Sequence, residues 1–199
     1  MLARRPHRGR AQGGTTLLEV LITIVILAFG LLGLAGLQSK IFVSELESYQ
    51  RAQAVLLLND MVERINANRN AAGTYVPAPG VTQFFGTDDS QPEDCSTTAA
   101  GVARDLCEWS NALKGTAETS GTKKVGAMIG ARGCITLAQP QDANPGVCKP
   151  GIYQVSIAWQ GLNPTTAPSV DCGQGAFGDD DRLRRALSAR VSIGLPSCQ

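Results

Sequence analysis

The chain has 199 residues, enough for one domain of ordinary size and a targeting segment. Its 18 lysines and arginines nearly balance its 17 acidic residues, and a formal net charge of +1 excludes general attraction to nucleic acid or to an acidic surface. The charge is nevertheless uneven, because no acidic residue precedes Glu19, whereas five basic or titratable residues do: Arg4, Arg5, His7, Arg8 and Arg10. This asymmetry is typical of a membrane-targeted N-terminus.

An apolar run, Leu17–Leu37, follows the basic leader and contains a single ionisable residue, Glu19. As a helix it would reach about 30 Å, the thickness of the hydrocarbon core of a bilayer. A cleaved secretory signal has a shorter apolar region, of roughly 7–15 residues. The positive-inside rule keeps the leader in the cytoplasm, so the residues after Leu37 are expected on the outer side of the membrane.

The helical pattern continues beyond the apolar run, without glycine or proline, to about Asn70. Apolar residues recur there every three or four positions and predict one packed face: Leu46, Tyr49, Ala52, Val55, Leu58, Val62 and Ile65. A helix from Leu17 to Asn70 would be about 80 Å long, more than a head of this size can cover. Its first half therefore needs lipid or other subunits around it.

The second half of the chain is predicted to form a loop, a short helix and several strands. The loop is Gly73–Gly86, the helix lies within Val102–Leu113, and residues 115–124 form an exposed connection; the candidate strands are Val125–Ile129, Cys134–Leu137, Tyr153–Gln160 and Leu187–Leu195. A long helix followed by strands predicts an α+β fold in which the N-terminal α-helix packs against a C-terminal antiparallel β-sheet.

All six cysteines lie in the part of the chain predicted to be translocated, which favours disulfides: Cys95, Cys107, Cys134, Cys148, Cys172 and Cys198. Sequential pairing costs the least loop entropy and predicts Cys95–Cys107, Cys134–Cys148 and Cys172–Cys198. The cysteine spacings lack the closely spaced ligand pairs of zinc sites. No metal, cofactor or catalytic residue is expected, since the only histidine, His7, lies in the leader.

The junction between leader and apolar run reads Gly13-Gly14-Thr15-Thr16-Leu17-Leu18-Glu19 and resembles the class III signal peptide of the type IV pilin superfamily. The resemblance implies that a prepilin peptidase cleaves between Gly14 and Thr15. It also implies N-methylation of the new Thr15 amine, which would pair with Glu19 of an adjacent subunit and set the axial register of a filament. A carboxylate inside an apolar helix is costly, by roughly 2.5–3.5 kcal/mol, and usually marks a specific partner.

A narrower resemblance, to the minor pilin PilV family, rests on residues 28–38, 49–54, 63–69 and 153–161. It implies a low-abundance subunit that joins other minor pilins and the major pilin in a priming or tip complex, promoting pilus assembly and adhesion or twitching motility. The expected organisation is a cleaved leader (1–14), a transmembrane and filament-core helix half (15–37), an amphipathic helix half (38–70) and a periplasmic head (71–199). The precursor would be a single-pass inner-membrane protein, and the mature chain part of a surface pilus.

Two other functions share this N-terminal architecture. One is a minor pseudopilin of a type II secretion system, and the other is a DNA-uptake pilin. Nucleic-acid binding would require a basic, aromatic-lined strip, which Lys123, Lys124 and the arginines of residues 182–190 supply only weakly. Four aspartates around a late loop raise a calcium site as a further hypothesis, although a solvated acidic turn explains them as well: Asp171, Asp179, Asp180 and Asp181.

Overall fold

The N-terminal helix, α1, spans Leu17–Ala67 in a computed structural model that describes residues 14–78, 84–115, 119–120, 123–124, 126, 128–144 and 146–195. It begins and ends close to the predicted limits, and a 3-10 helix, Arg69–Tyr75, follows it. The chain divides into two compact units between Ser44 and Glu45. The predicted leader lies outside the described residues except for Gly14.

The second unit contains the remaining elements: β1 (Phe85–Gly86), α2 (Val102–Leu113), β2 (Thr119–Ser120), β3 (Lys123–Lys124), β4 (Ile129–Gln139), β5 (Gly151–Gln160) and β6 (Arg184–Ile193). The structure confirms the helix predicted at Val102–Leu113. The predicted exposed connection instead includes a small hairpin, β2–β3. Of the predicted strand Val125–Ile129, Val125 and Ala127 lie outside the described residues, Gly126 and Met128 are not in a strand, and Ile129 begins β4.

The main sheet has the strand order β1-β4-β5-β6 and is antiparallel throughout. Strand β5 is central, and its Ser156 pairs with Cys134 on one side and with Ser188 on the other. The predicted α+β architecture, a long helix with an antiparallel sheet, is confirmed.

The part of α1 from Glu45 to Ala67, here called its head half, packs one face into the main core, but this face is not the predicted one. The buried positions follow a helical spacing of three and four: Gln50, Ala54, Leu58, Met61 and Ile65. Of the predicted face only Leu58 and Ile65 are buried, and Tyr49 and Val55 remain 48% and 41% exposed. Each step of three residues turns the predicted set by about 60° around the helix, so that set does not form one face, whereas the mixed steps of three and four in the buried set do.

A second, smaller core lies on the other face of the sheet, where the loop between β5 and β6 folds back. Phe177 and Cys172 from this loop pack with Ala158 of β5. Residues 155–159 of β5 are therefore buried on both faces. The alternation of apolar and polar residues in Tyr153–Gln160 is not matched by alternating burial over this part of the strand.

The disulfides differ from the sequential pairing. Cys95 is bonded to Cys107, as sequential pairing has it, but Cys134 is bonded to Cys172, across a separation of 38 residues. The predicted pairs Cys134–Cys148 and Cys172–Cys198 are therefore wrong. Cys148 is disulfide-bonded, and Cys198 lies outside the described residues.

Helix α2 is fixed to both α1 and the sheet through Trp109, which is completely buried. The Trp109 Nε1 donates a hydrogen bond to the Leu57 carbonyl of α1 at 2.9 Å. On the opposite side, the ring lies against Gly133 of β4, where an added Cβ would be only 2.2 Å from Trp109 Cη2. Trp159 of β5 is likewise a core residue, with 3% of its surface exposed.

Candidate functional site

The predicted processing site lies immediately before the start of α1. Gly14, Thr15 and Thr16 are non-helical and exposed, and the helix begins at Leu17. The Thr16 hydroxyl accepts a hydrogen bond from the Glu19 backbone N–H at 3.3 Å, which satisfies one of the N–H groups left without a partner at a helix start. The Gly14–Thr15 bond is thus in an uncovered, non-helical backbone next to a capped helix.

Glu19 occupies the first turn of α1, where the positive end of the helix dipole favours a carboxylate. Its side chain is exposed in the single chain. The pattern Thr16-x-x-Glu19 is that of a capping box, and this local preference adds to the charge role that the resemblance implies. Sequence reasoning identified Glu19 but missed Thr16, although the box was visible in the sequence.

The apolar residues of α1 that follow Glu19 are uncovered. Every described residue from Gly14 to Phe42 is exposed, including large side chains such as Phe29 (71%) and Leu32 (69%). Among the described helices, α1 is the one long and apolar enough to cross a membrane by length and composition. Exposed apolar surface on this scale marks contact with lipid or with protein.

Glu47 holds the head half of α1 to the loop between β5 and β6, residues 161–183. One carboxylate oxygen, Oε1, accepts the backbone N–H groups of Leu162 at 3.1 Å and Asn163 at 3.3 Å, and the Arg185 Nη2 at 3.0 Å. The Arg185 guanidinium lies so close to Gly161 that a Cβ there would be 2.6 Å from its Cζ. This anchor was not predicted from the sequence, because its partners are more than 100 residues apart.

A second polar network joins the C-terminal end of α1 to α2. Arg64 makes ion pairs with Asp60, Asp105 and Glu108 at 2.8–3.1 Å. Burial alone would lower the pKa of Arg64, but its hydrogen bonds to Glu108, Asp60 and Asp105 raise it instead. Tyr75 donates to Asp105, and burial together with this bond raises the pKa of Tyr75 to about 12. Through Tyr75 the network fixes the 3-10 helix to both α1 and α2.

A buried carboxylate, Asp89, organises the segment between β1 and α2. Its side chain is 5% exposed; it accepts the Ser110 hydroxyl and the backbone N–H of Gly86, and it pairs with Lys114 at 2.5 Å. Burial would raise the pKa of Asp89, but the hydrogen bonds from Lys114, Ser110, Gly86 and Gln91 outweigh it and lower the pKa.

This arrangement predicts a pH dependence of stability. The folded-state pKa of Asp89 is depressed. Its ionised carboxylate therefore contributes fully to the free energy of unfolding above the unfolded-state pKa of about 3.9, and this contribution is lost as pH falls through the folded-state pKa. We expect Asp89→Asn to lower the free energy of unfolding at pH 7 by about 3 kcal/mol, since it leaves Lys114 without its buried partner. The measurement is urea unfolding at pH 7 and pH 3.

The expected signature is that Asp89→Asn loses less stability than the parent chain between pH 7 and pH 3. Asp179→Asn, which alters an exposed carboxylate of the β5–β6 loop, is the matched control and should change stability by less than about 0.5 kcal/mol at either pH. Equal losses on acidification in the parent and in Asp89→Asn would contradict the assignment.

The four candidate calcium ligands are not brought together. Asp181 is buried against Arg184, and Asp180 lies 3.9 Å from Arg182, while Asp171 and Asp179 are exposed. No group of three or more histidine, cysteine, aspartate or glutamate side chains suited to a metal ion occurs among the described residues. An open polar cleft of about 510 Å³ lies beside Cys95, and carboxylates line much of it: Glu93, Asp94 and Glu108.

Two protein families match the part of the chain that contains the predicted processing site and α1. Residues 9–35 match the prokaryotic N-terminal methylation motif, and residues 36–113 match the family of type IV pilin Tt1218. These two matches support the type IV pilin superfamily. Neither the curated proteins nor the solved structures give a significant match.

The pilin matches cover the predicted processing junction, all of α1 and α2, but not the sheet strands β4–β6. The methylation motif implies processing by a prepilin peptidase and partnership with other pilins. Pilins are structural proteins, and the motif with an apolar helix is consistent with inner-membrane anchoring followed by pilus assembly. The narrower PilV assignment stays a prediction.

Proposed function

We propose that the chain is a minor pilin of a type IV pilus, which joins a priming or tip complex with other minor pilins and the major pilin. The observation that carries this proposal is the N-terminal half of α1. It is apolar and uncovered, it has Glu19 in its first turn, and it begins at Leu17, two residues after the Gly14–Thr15 bond. The same segment serves as a membrane anchor before assembly and as a packing surface within the filament.

Processing is the first step of this function. The glycine before the scissile bond has no side chain, so an extended backbone can approach the peptidase closely. Space is open around Gly14, where an added Cβ would meet no atom within 4 Å. Cleavage removes the basic leader and creates the Thr15 amine, which is then N-methylated.

Assembly is the second step and depends on Glu19. After cleavage, the positive Thr15 amine of one subunit and the Glu19 carboxylate of its neighbour form a charge pair in an apolar environment. Such a pair is strong in low dielectric and is costly to leave unmade, so it discriminates correct from shifted axial docking.

Contacts between subunits have a further candidate surface on the head half of α1. Tyr49 and Leu56 are 48% and 62% exposed and lie on the side of the helix away from the buried stripe. At 100° per residue they lie on one face. This exposed apolar pair is suited to a neighbouring helix, and Gly30, Gly33 and Gly36 leave open space for close helix approach within the anchor.

The disulfides of the head and the PilV resemblance support the location and the minor role that we propose. The disulfides are suited to the oxidising periplasm and cell surface, in keeping with a periplasmic head on a single-pass precursor. The PilV resemblance of residues 28–38, 49–54, 63–69 and 153–161 supports membership of the priming complex. Adhesion and twitching motility are the cellular activities that such a complex would affect.

The test is a deletion of the gene, complemented by the parent chain, with surface pili, type II secretion and DNA uptake all scored. The proposal predicts a loss of surface pili that complementation restores, with secretion unchanged. Normal piliation combined with a secretion defect would contradict it in favour of a pseudopilin. Normal piliation with defective DNA uptake would instead indicate an uptake pilin.

A further inference from the structure

The loop between β5 and β6, residues 161–183, is built around a buried arginine side chain. Arg184, the first residue of β6, is 3% exposed. Its Nη1 donates to the carbonyls of Val170 and Cys172, the latter at 3.0 Å, and its Nη2 donates to the Pro168 carbonyl at 3.1 Å. A single guanidinium thus binds three carbonyls from one turn of the loop.

A carboxylate completes the shell around this guanidinium. Asp181 Oδ2 lies 3.3 Å from the Arg184 Nε, as an ion pair rather than an aligned hydrogen bond. The two Asp181 oxygens also accept the Gly175 backbone N–H, at 2.9 and 3.0 Å. Asp181 is 8% exposed and has a left-handed backbone with φ 54°, an uncommon conformation for a residue with a side chain.

Carbonyl and carboxylate oxygens are also the ligands that a calcium ion takes in a loop of this kind. Here a guanidinium supplies the positive charge instead, with donors in a fixed planar fork that match several acceptors at once. Asp171, Asp179 and Asp180 do not extend the shell, since all three are exposed and Asp180 pairs with Arg182.

We propose that Arg184 is the internal cation that organises the acidic β5–β6 loop, so that the loop folds without a divalent metal ion. Together with the Cys134–Cys172 bond, the guanidinium holds the loop against the second face of the sheet. This inference is independent of the pilus role.

The experiment is hydrogen–deuterium exchange on the full chain in detergent, read on peptides that cover residues 161–183. Arg184→Gln and Arg184→Lys are compared with Arg182→Gln, which removes an exposed arginine two residues away. We expect loop amides, the Gly175 N–H among them, to exchange about 10- to 100-fold faster in Arg184→Gln, the factor that loss of charge-assisted hydrogen bonds produces. Arg184→Lys should restore only part of the protection, and Arg182→Gln should exchange like the parent.

A second arm needs no substitution. The parent chain is measured with calcium chloride and with EDTA, and the proposal predicts identical exchange and identical melting temperatures. A calcium-dependent gain in protection of the loop would overturn it. So would Arg184→Gln with the exchange pattern of Arg182→Gln.

Discussion

Replacing Gly133 with alanine is expected to destabilise the head by about 3 kcal/mol or more, at the upper end of the range for overpacked cores. The added Cβ would lie 2.2 Å from Cη2 and 2.5 Å from Cζ3 of Trp109, and 2.7 Å from Leu113 Cδ1. Trp109 cannot move aside, because it is fully buried and its Nε1 is bonded to the Leu57 carbonyl. Urea unfolding of the full chain in detergent, followed by tryptophan fluorescence, measures the effect.

Two further variants make this prediction specific. Gly194→Ala is the matched control, since an added Cβ there meets no atom within 4 Å, and it should change stability by less than about 0.5 kcal/mol. Trp109→Phe removes the ring atoms that clash, so the double variant Gly133→Ala/Trp109→Phe should be more stable than the sum of the single losses predicts. Strict additivity would contradict the account of a steric clash at Gly133.

Replacing Glu19 with glutamine is expected to leave processing intact and to reduce incorporation into pili by at least about tenfold, equivalent to roughly 1.4 kcal/mol of assembly free energy. Glutamine keeps the shape and hydrogen-bonding ability of the side chain but removes the charge that would pair with the Thr15 amine of a neighbouring subunit. The measurement is the ratio of the chain in sheared pili to that in membranes, by immunoblot.

The control for Glu19→Gln is Glu45→Gln, which neutralises an exposed glutamate of α1 outside the apolar run. It should assemble like the parent. Because Glu19→Gln also makes the anchor more apolar, membrane insertion should be at least as efficient as in the parent. Parent-like incorporation of Glu19→Gln would contradict a role of the charge in assembly.

The helices could be predicted from the sequence because their signals are local. Helix α1 runs without proline through glycines that a helix tolerates, and α2 has a strong amphipathic pattern between Val102 and Leu113. The face that α1 buries was predicted wrongly because the predicted positions mostly follow steps of three residues. Tyr49 and Val55, six positions apart, lie about 120° apart around a helix, whereas Ala54 and Met61, seven positions apart, lie within about 20° and share one face.

The disulfide error has a quantitative explanation. Sequential pairing assumes that the shorter loop wins, yet the entropy difference between closing 38 residues and closing 14 is only about 0.9 kcal/mol. Packing of Phe177 and Ala158 beneath the sheet outweighs it and brings the Cα atoms of Cys134 and Cys172 to 5.7 Å. Loop-closure entropy alone therefore does not predict the disulfide pairing when a long loop packs against the sheet.

The polar anchors of the head were missed for the same reason. Glu47 and Arg185, like Arg64 and Asp105, are ordinary surface charges in the sequence and become partners only through the fold. In the sequence Arg184 is one of three arginines in a basic turn, with Arg182 and Arg185. In the fold each of the three has a different acidic partner, which the sequence does not indicate. The N-terminal site could be proposed from the sequence because it is contiguous, from Gly14 to Glu19.

The central claim, that the chain is a processed pilin subunit, is tested most directly by the mass of its N-terminal peptide. The chain is purified from membranes of cells with and without the prepilin peptidase and is analysed by mass spectrometry. The account predicts an N-terminus at Thr15 carrying one added methyl group in the first case and an uncleaved leader in the second. A leader retained in both strains, or an N-terminus beyond the apolar run at Leu37, would contradict it.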